Sequence, residues 1–150
     1  MTSELKKKIK SLAVFKGTKK TKLDEAAQAR FSAAKDLECI VNELKRQNTK
    51  YSDLLLSPIE SKVAVFLQSR NDLIFHLIDK IKSLEISKNS CEVLLNQRTT
   101  EWRKAYSEHE AASSLVQRKK VELRMLQEKK ESEINDETGQ ILFGLRRKAD

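Results

Sequence analysis

Along most of the chain, apolar residues recur in alternating steps of three and four, the spacing of a helix that buries one narrow stripe. From Leu23 the series runs through Ala27, Arg30, Ala34, Leu37, Val41, Leu44, Asn48, Tyr51 and Leu55. This is a heptad seam that weakens at Arg30 and at Asn48, and a seam asparagine can fix register through a polar partner. Ahead of it, a helix over residues 3 to 16 puts Leu5, Ile9 and Leu12 on one face, with Ala13 and Phe15 at its borders and Lys6, Lys7 and Lys10 opposite. Gly17-Thr18-Lys19-Lys20 then reads as a hinge. Thr21 reads as the cap of a second helix, with Asp24 and Glu25 in its first turn.

The single proline marks the next boundary. In Ser57-Pro58-Ile59-Glu60, the pattern makes Ser57 the N-cap, Pro58 the first helical residue and Glu60 the reciprocal capping partner. A tight turn there sends the next helix back against the first. From Ile59 to Thr138 there is no proline or glycine. The seam continues through Ile59, Val63, Phe66, Arg70, Leu73 and Leu77, shifts phase near Ile81 and Leu84, and resumes through Cys91, Leu95, Arg98, Trp102, Ala105, His109, Ala112, Val116, Lys119, Leu123 and Leu126. Ser87-Lys88-Asn89-Ser90 is polar but holds no breaker, so the helix is read as continuous across it. A final break is expected at Asp136-Glu137-Thr138-Gly139, before a short last helix that ends in Arg146-Arg147-Lys148.

These patterns predict an all-α fold: an elongated antiparallel bundle or coiled coil of long helices, completed by dimerisation. The residues assigned to the dimer seam are Leu37, Val41, Leu44, Tyr51, Leu55, Val63, Phe66, Leu73, Leu77, Leu84, Leu95 and Trp102. Composition agrees. Of 150 residues, 35% are charged and 5% aromatic, with three glycines and one proline, too few turn formers for a sandwich, barrel or doubly wound sheet. No run is apolar enough to span a bilayer. The N-terminus lacks the apolar stretch of a signal peptide, and Cys39 and Cys91 sit within helical patterns, which argues for a cytoplasmic chain without disulfides.

Charge divides the chain. Residues 1–22 hold eight lysines against Glu4 alone, a net +7, while the other 128 residues hold 22 basic and 21 acidic side chains. The expected organisation is therefore a basic amphipathic arm, 1–22, and a long-helix domain, 23–150. An arm of this kind suits an anionic phospholipid surface, its apolar face in the headgroup boundary and its lysines on the lipid charge. The candidate membrane residues are Leu5, Lys6, Lys7, Lys8, Ile9, Lys10, Leu12, Phe15, Lys16, Lys19, Lys20 and Lys22. A solvated tail or an import signal is the plainer reading of the same lysines.

Catalytic chemistry finds no support. His76 and His109 are far apart, and Glu108-His109-Glu110 on a helix does not converge its side chains on one face. The cysteines lack CxxC spacing, and there is no glycine-rich phosphate loop. No catalytic residue, metal ligand or cofactor is assigned, and Trp102 and Tyr106, one turn apart, are read as packing.

In the order of its features the chain resembles a BAR-type domain. Gly17 to Glu25 looks like the segment leading into the first long helix of amphiphysin- and endophilin-like members. Tyr51 to Leu84, with Phe66, Arg70, Leu73, Leu77 and Lys82-Ser83-Leu84-Glu85, is similar to the central helix of sorting-nexin BAR domains. Lys119 to Lys130 resembles a basic helix tip. The chain is short for three full helices. The resemblance implies a peripheral, curvature-sensing or curvature-generating dimer in membrane trafficking, with Lys6 to Lys22 and Arg118, Lys119, Lys120, Lys129 and Lys130 facing lipid. The alternative is a coiled-coil scaffold or tether subunit of a larger complex, bound to a helical partner protein. Nucleic-acid binding ranks last, because the arm contains no arginine and one aromatic residue, Phe15.

Overall fold

The computed structural model describes residues 1–59 and 63–149. They form two helices, α1 (Thr2–Leu56) and α2 (Ala64–Ala149), packed antiparallel, with no strand among the described residues. The all-α, antiparallel long-helix reading is therefore correct.

Two predicted breaks are absent. Gly17, Gly139 and Gly144 all lie inside helices, and no glycine has positive φ. A glycine costs a helix only about 1 kcal/mol relative to alanine, which a continuous buried stripe overrides. The expected hinge at Gly17 is helix, and Thr21 is not a cap: its hydroxyl donates to the Gly17 carbonyl at 3.1 Å, one turn back. The break expected at Asp136–Gly139 is likewise helix. Continuity across Ser87–Ser90 holds.

The proline boundary is real, but its polarity is reversed. Pro58 disfavours helical backbone at the residue before it and cannot donate a main-chain bond, so it ends α1 instead of starting α2. The Ser57 N–H still bonds the Asp53 carbonyl at 2.9 Å, closing the last turn of α1. The next helix starts only at Ala64, where Phe66 and Leu67 N–H groups both donate to the Val63 carbonyl at 3.1 Å. The proposed capping partner Glu60 lies outside the described residues.

The seam on α1 is an unbroken heptad: Leu5, Ile9, Leu12, Lys16, Lys19, Leu23, Ala26, Arg30, Ala33, Leu37, Ile40, Leu44, Gln47, Tyr51 and Leu54, all buried or half-buried. On α2 it runs Leu67, Arg70, Ile74, Leu77, Ile81, Leu84, Lys88, Cys91, Leu95, Arg98, Trp102, Ala105, His109, Ala112, Val116, Lys119, Leu123 and Leu126. The predicted positions Ala34, Asn48, Leu55, Phe66 and Leu73 are exposed, each one residue from a true seam position. There is no phase shift near Ile81. The apparent shift arises from choosing Phe66 and Leu73 over Leu67 and Ile74.

Contacts divide the chain into two units. Unit 1 is Met1–Leu23 with Lys104–Asp150; unit 2 is Asp24–Arg103. In unit 1 the core is Leu5, Leu23, Ala112 and Val116; in unit 2 it is Ala33, Leu77 and the polar Gln47.

Candidate interaction surfaces

The arm's apolar face does not look outward. Leu5 is 6% exposed, and Ile9 and Leu12 are half-buried, because the seam of α1 begins at residue 5 and pairs with α2 within unit 1. Lys16 and Lys19 also occupy seam positions and are half-buried there, which suits long side chains that cover apolar surface with their stems. The Lys19 ammonium donates to Glu108 Oε2 at 3.0 Å and stands 5.2 Å from the Phe15 ring centre. That hydrogen bond and charge hold the Glu108 carboxyl below its ordinary pKa.

The basic residues that sequence separates are gathered here. Lys7 and Lys8 share a groove with Leu12, Leu115 and Lys119. Lys16 shares a second groove with Ser113, Ser114, Arg118 and Lys120. Lys6, Lys10, Lys20 and Lys22 are exposed on α1, and Lys129 and Lys130 are exposed further along α2, apart from these grooves. Counting both helices, unit 1 holds 18 basic and 10 acidic residues, and unit 2 holds 12 of each. The whole net charge of +8 therefore belongs to unit 1.

Unit 2 offers different chemistry. Leu54, Pro58, Ile59, Phe66, Leu67 and Leu73 line a groove of about 680 Å³. Leu56, Val63, Val65 and Phe75 add exposed apolar area close by. Scattered exposed apolar residues are ordinary, whereas a dense cluster of them is the type of patch found at contact surfaces. Arg70 is the polar member of the groove and donates to the main chain of α1. Of the residues assigned to a seam, Leu37, Leu44, Tyr51, Leu77, Leu84, Leu95 and Trp102 lie in the stripe between the chain's own helices, and Val41 is half-buried beside it. Leu55, Val63, Phe66 and Leu73 are exposed.

Sequence reading missed Gln47. It is 1% exposed, and its Nε2 donates to Glu43 Oε1 at 2.7 Å. Glu43 also takes Arg46 at 2.7 Å and stands 3.9 Å from Lys80 of α2. The Arg46 and Gln47 hydrogen bonds, in that order, lower its carboxyl pKa. The signal was present as a polar residue seven positions after Ile40 in the correct phase. His109 is the other polar oddity: its Nδ1 is buried without a hydrogen-bond partner, 3.8 Å from a Glu110 oxygen. Among the described residues no three His, Cys, Asp or Glu side chains group closely enough to hold a metal, and no helix is long and apolar enough to cross a membrane.

Comparison with family models matches residues 8–148 to the flagellar FliJ protein. No curated protein and no solved structure matches the chain. The match covers both helices and overturns the BAR-type reading, and with it curvature sensing, lipid binding and membrane trafficking. The likeness to BAR domains rested on long heptad helices, which any two coiled coils share, and on an apolar arm face that is in fact the start of the seam. Two long antiparallel helices whose family match runs almost from end to end leave one assignment: the chain belongs to the FliJ family of flagellar proteins.

Proposed function

We propose that this chain is a non-catalytic coiled-coil subunit of a flagellar protein complex serving export, working in the cytoplasm by holding protein partners. The observation that carries it is the FliJ match over residues 8–148, which spans the whole two-helix pairing and not one fragment of it. Two surfaces support a role in assembly. The basic grooves of unit 1 suit an acidic protein surface, where complementary charge speeds and orients encounter. The apolar groove of unit 2 suits an apolar partner face, the kind of patch that supplies binding energy at interface centres.

Removing the gene from its native flagellated cell tests this. The expected result is loss of filaments and motility, with flagellar subunits no longer appearing outside the cell and restoration by the intact gene. Restoration should fail with Phe66→Ser plus Leu73→Ser, both exposed positions, although the purified variant keeps its helix content. Normal filaments in the deletion strain would refute the reading.

A further inference from the structure

From Gln127 to Phe143 every residue of α2 is exposed, and Leu145 to Lys148 are exposed as well. Apart from the Glu128 pairing with Arg124 on the same helix, this stretch stays exposed among the described residues, yet it is not uniformly polar. Ile134, Thr138, Ile141 and Leu145 follow steps of four, three and four, continuing heptad spacing on one face, with Leu142 at its border. Ile134, Ile141, Leu142 and Leu145 are each more than half exposed. A stripe of this kind on a solvent-exposed helix lacks a structural reason unless another helix covers it.

The charges say which helix. Residues 128–137 hold Glu128, Glu131, Glu133, Asp136 and Glu137 against Lys129 and Lys130, and the end of α2 holds Arg146, Arg147 and Lys148 with no acid among them. The segment is acidic at one end of the stripe and basic at the other. Two copies laid parallel would set acid against acid and base against base. Laid antiparallel, with Ile134 facing Leu145 of a second copy, Thr138 faces Ile141, and the acidic portion of each lies along the basic end of the other. In that register Glu131 faces Lys148, closing the stripe at both ends with an opposite-charge pair.

We propose that the part of α2 beyond Leu126 is a homotypic docking helix that pairs antiparallel with the same segment of a second copy. The segment is complementary to itself in shape period and in charge. Its short stripe makes a small interface, at the weak, transient end of protein–protein contacts. Phe143, 68% exposed, lies on the reverse of the helix and takes no part.

Sedimentation velocity on the full chain over a wide concentration range tests the pairing. The expected result is a concentration-dependent dimer that I141E plus L145E weakens by at least roughly tenfold. R146E plus R147E plus K148E should weaken it as well, and F143S should leave it unchanged. Helix content by circular dichroism identifies any variant that fails to fold, and the charge variants then carry the test. Orientation is read by cross-linking in a chain carrying C39S and C91S. A mixture of E131C and K148C copies should form a disulfide-linked dimer, and E131C alone should not. A chain that stays monomeric, an F143S effect as large as that of I141E plus L145E, or disulfide dimers of E131C alone would each overturn the proposal.

Discussion

The guanidinium of Arg70 donates to the main-chain oxygen of Leu54 at 2.7 Å and reaches that of Leu55 at 3.5 Å, so a side chain of α2 caps the C-terminal end of α1. The last turn of α1 has no basic residue of its own. Its final carbonyls, unsatisfied within the helix, find their cation on α2. Replacing Arg70 with alanine should destabilise the fold by about 1–2 kcal/mol, the range of a partly exposed, charge-assisted hydrogen bond. Urea denaturation measures it. Arg70→Lys should recover only part of the loss, because both carbonyls are met by the one terminal nitrogen Nη2, at the far end of a side chain longer than that of lysine.

A second cross-helix pair, Arg30 over the Trp102 ring at 4.7 Å, lies within unit 2. Both are half-buried seam residues. A double-mutant cycle with Arg30→Ala and Trp102→Leu should give a coupling of about 0.5–1 kcal/mol, the range of partly exposed cation–π contacts.

Acid should weaken the fold through Glu108 and Glu43. Both carboxyls have lowered pKa values in the folded chain, Glu108 through Lys19 and Glu43 through Arg46 and Gln47. A group with a depressed folded pKa contributes its full stabilisation above the unfolded value, ~4.3 for glutamate, and loses it as pH falls through the folded value. Melting temperature should therefore be flat from neutral pH down to that range and fall below it. Glu108→Gln should lower the neutral-pH melting temperature and flatten the acid decline.

The phase of the seam can be read by alanine scanning. Leu77, 6% exposed, should cost about 2–3 kcal/mol on replacement by alanine, the lower part of the range for buried leucines. Ile74→Ala should also destabilise measurably. Leu73→Ala and Asn48→Ala, at exposed neighbours of the seam, should change stability by no more than about 0.5 kcal/mol. Equal losses at Leu73 and Ile74 would contradict the register.

Much of this architecture is legible in the sequence, and the part that is not has a definite cause. Leu23, Arg30, Leu37, Leu44 and Tyr51 repeat every seven residues and lie in the seam as expected. The second row of the heptad is ambiguous, because it falls on adjacent pairs of similar residues: Ala26 and Ala27, Ala33 and Ala34, Ile40 and Val41, Leu54 and Leu55. Either member satisfies a period of three and four, and only packing against α2 chooses the first. Taking the second member throughout puts Asn48 in the seam and hides Gln47. In α2 the same choice between Leu67 and Phe66, and between Ile74 and Leu73, creates a false phase shift. From Cys91 onward similar pairs recur, among them Leu94 and Leu95, Ala111 and Ala112, and Leu115 and Val116, but there the expected seam takes the second member and is the observed one. The arm shows a different limit. Three apolar residues at helical spacing look alike whether they lie on lipid or on another helix, and pairing with a stretch some hundred residues away is a tertiary fact.

The exposed reach of α2 from Gln127 to Phe143 also bears on the lifetime of the protein. A helix of that length with no packed neighbour is marginal in water, so its amides should exchange, and proteases should cut, at far lower free-energy cost than in the paired stretches. A copy whose segment is covered loses that weak point, while a copy left alone keeps it. Supply would then be matched to assembly without a dedicated regulator, because surplus chains present their own site of degradation.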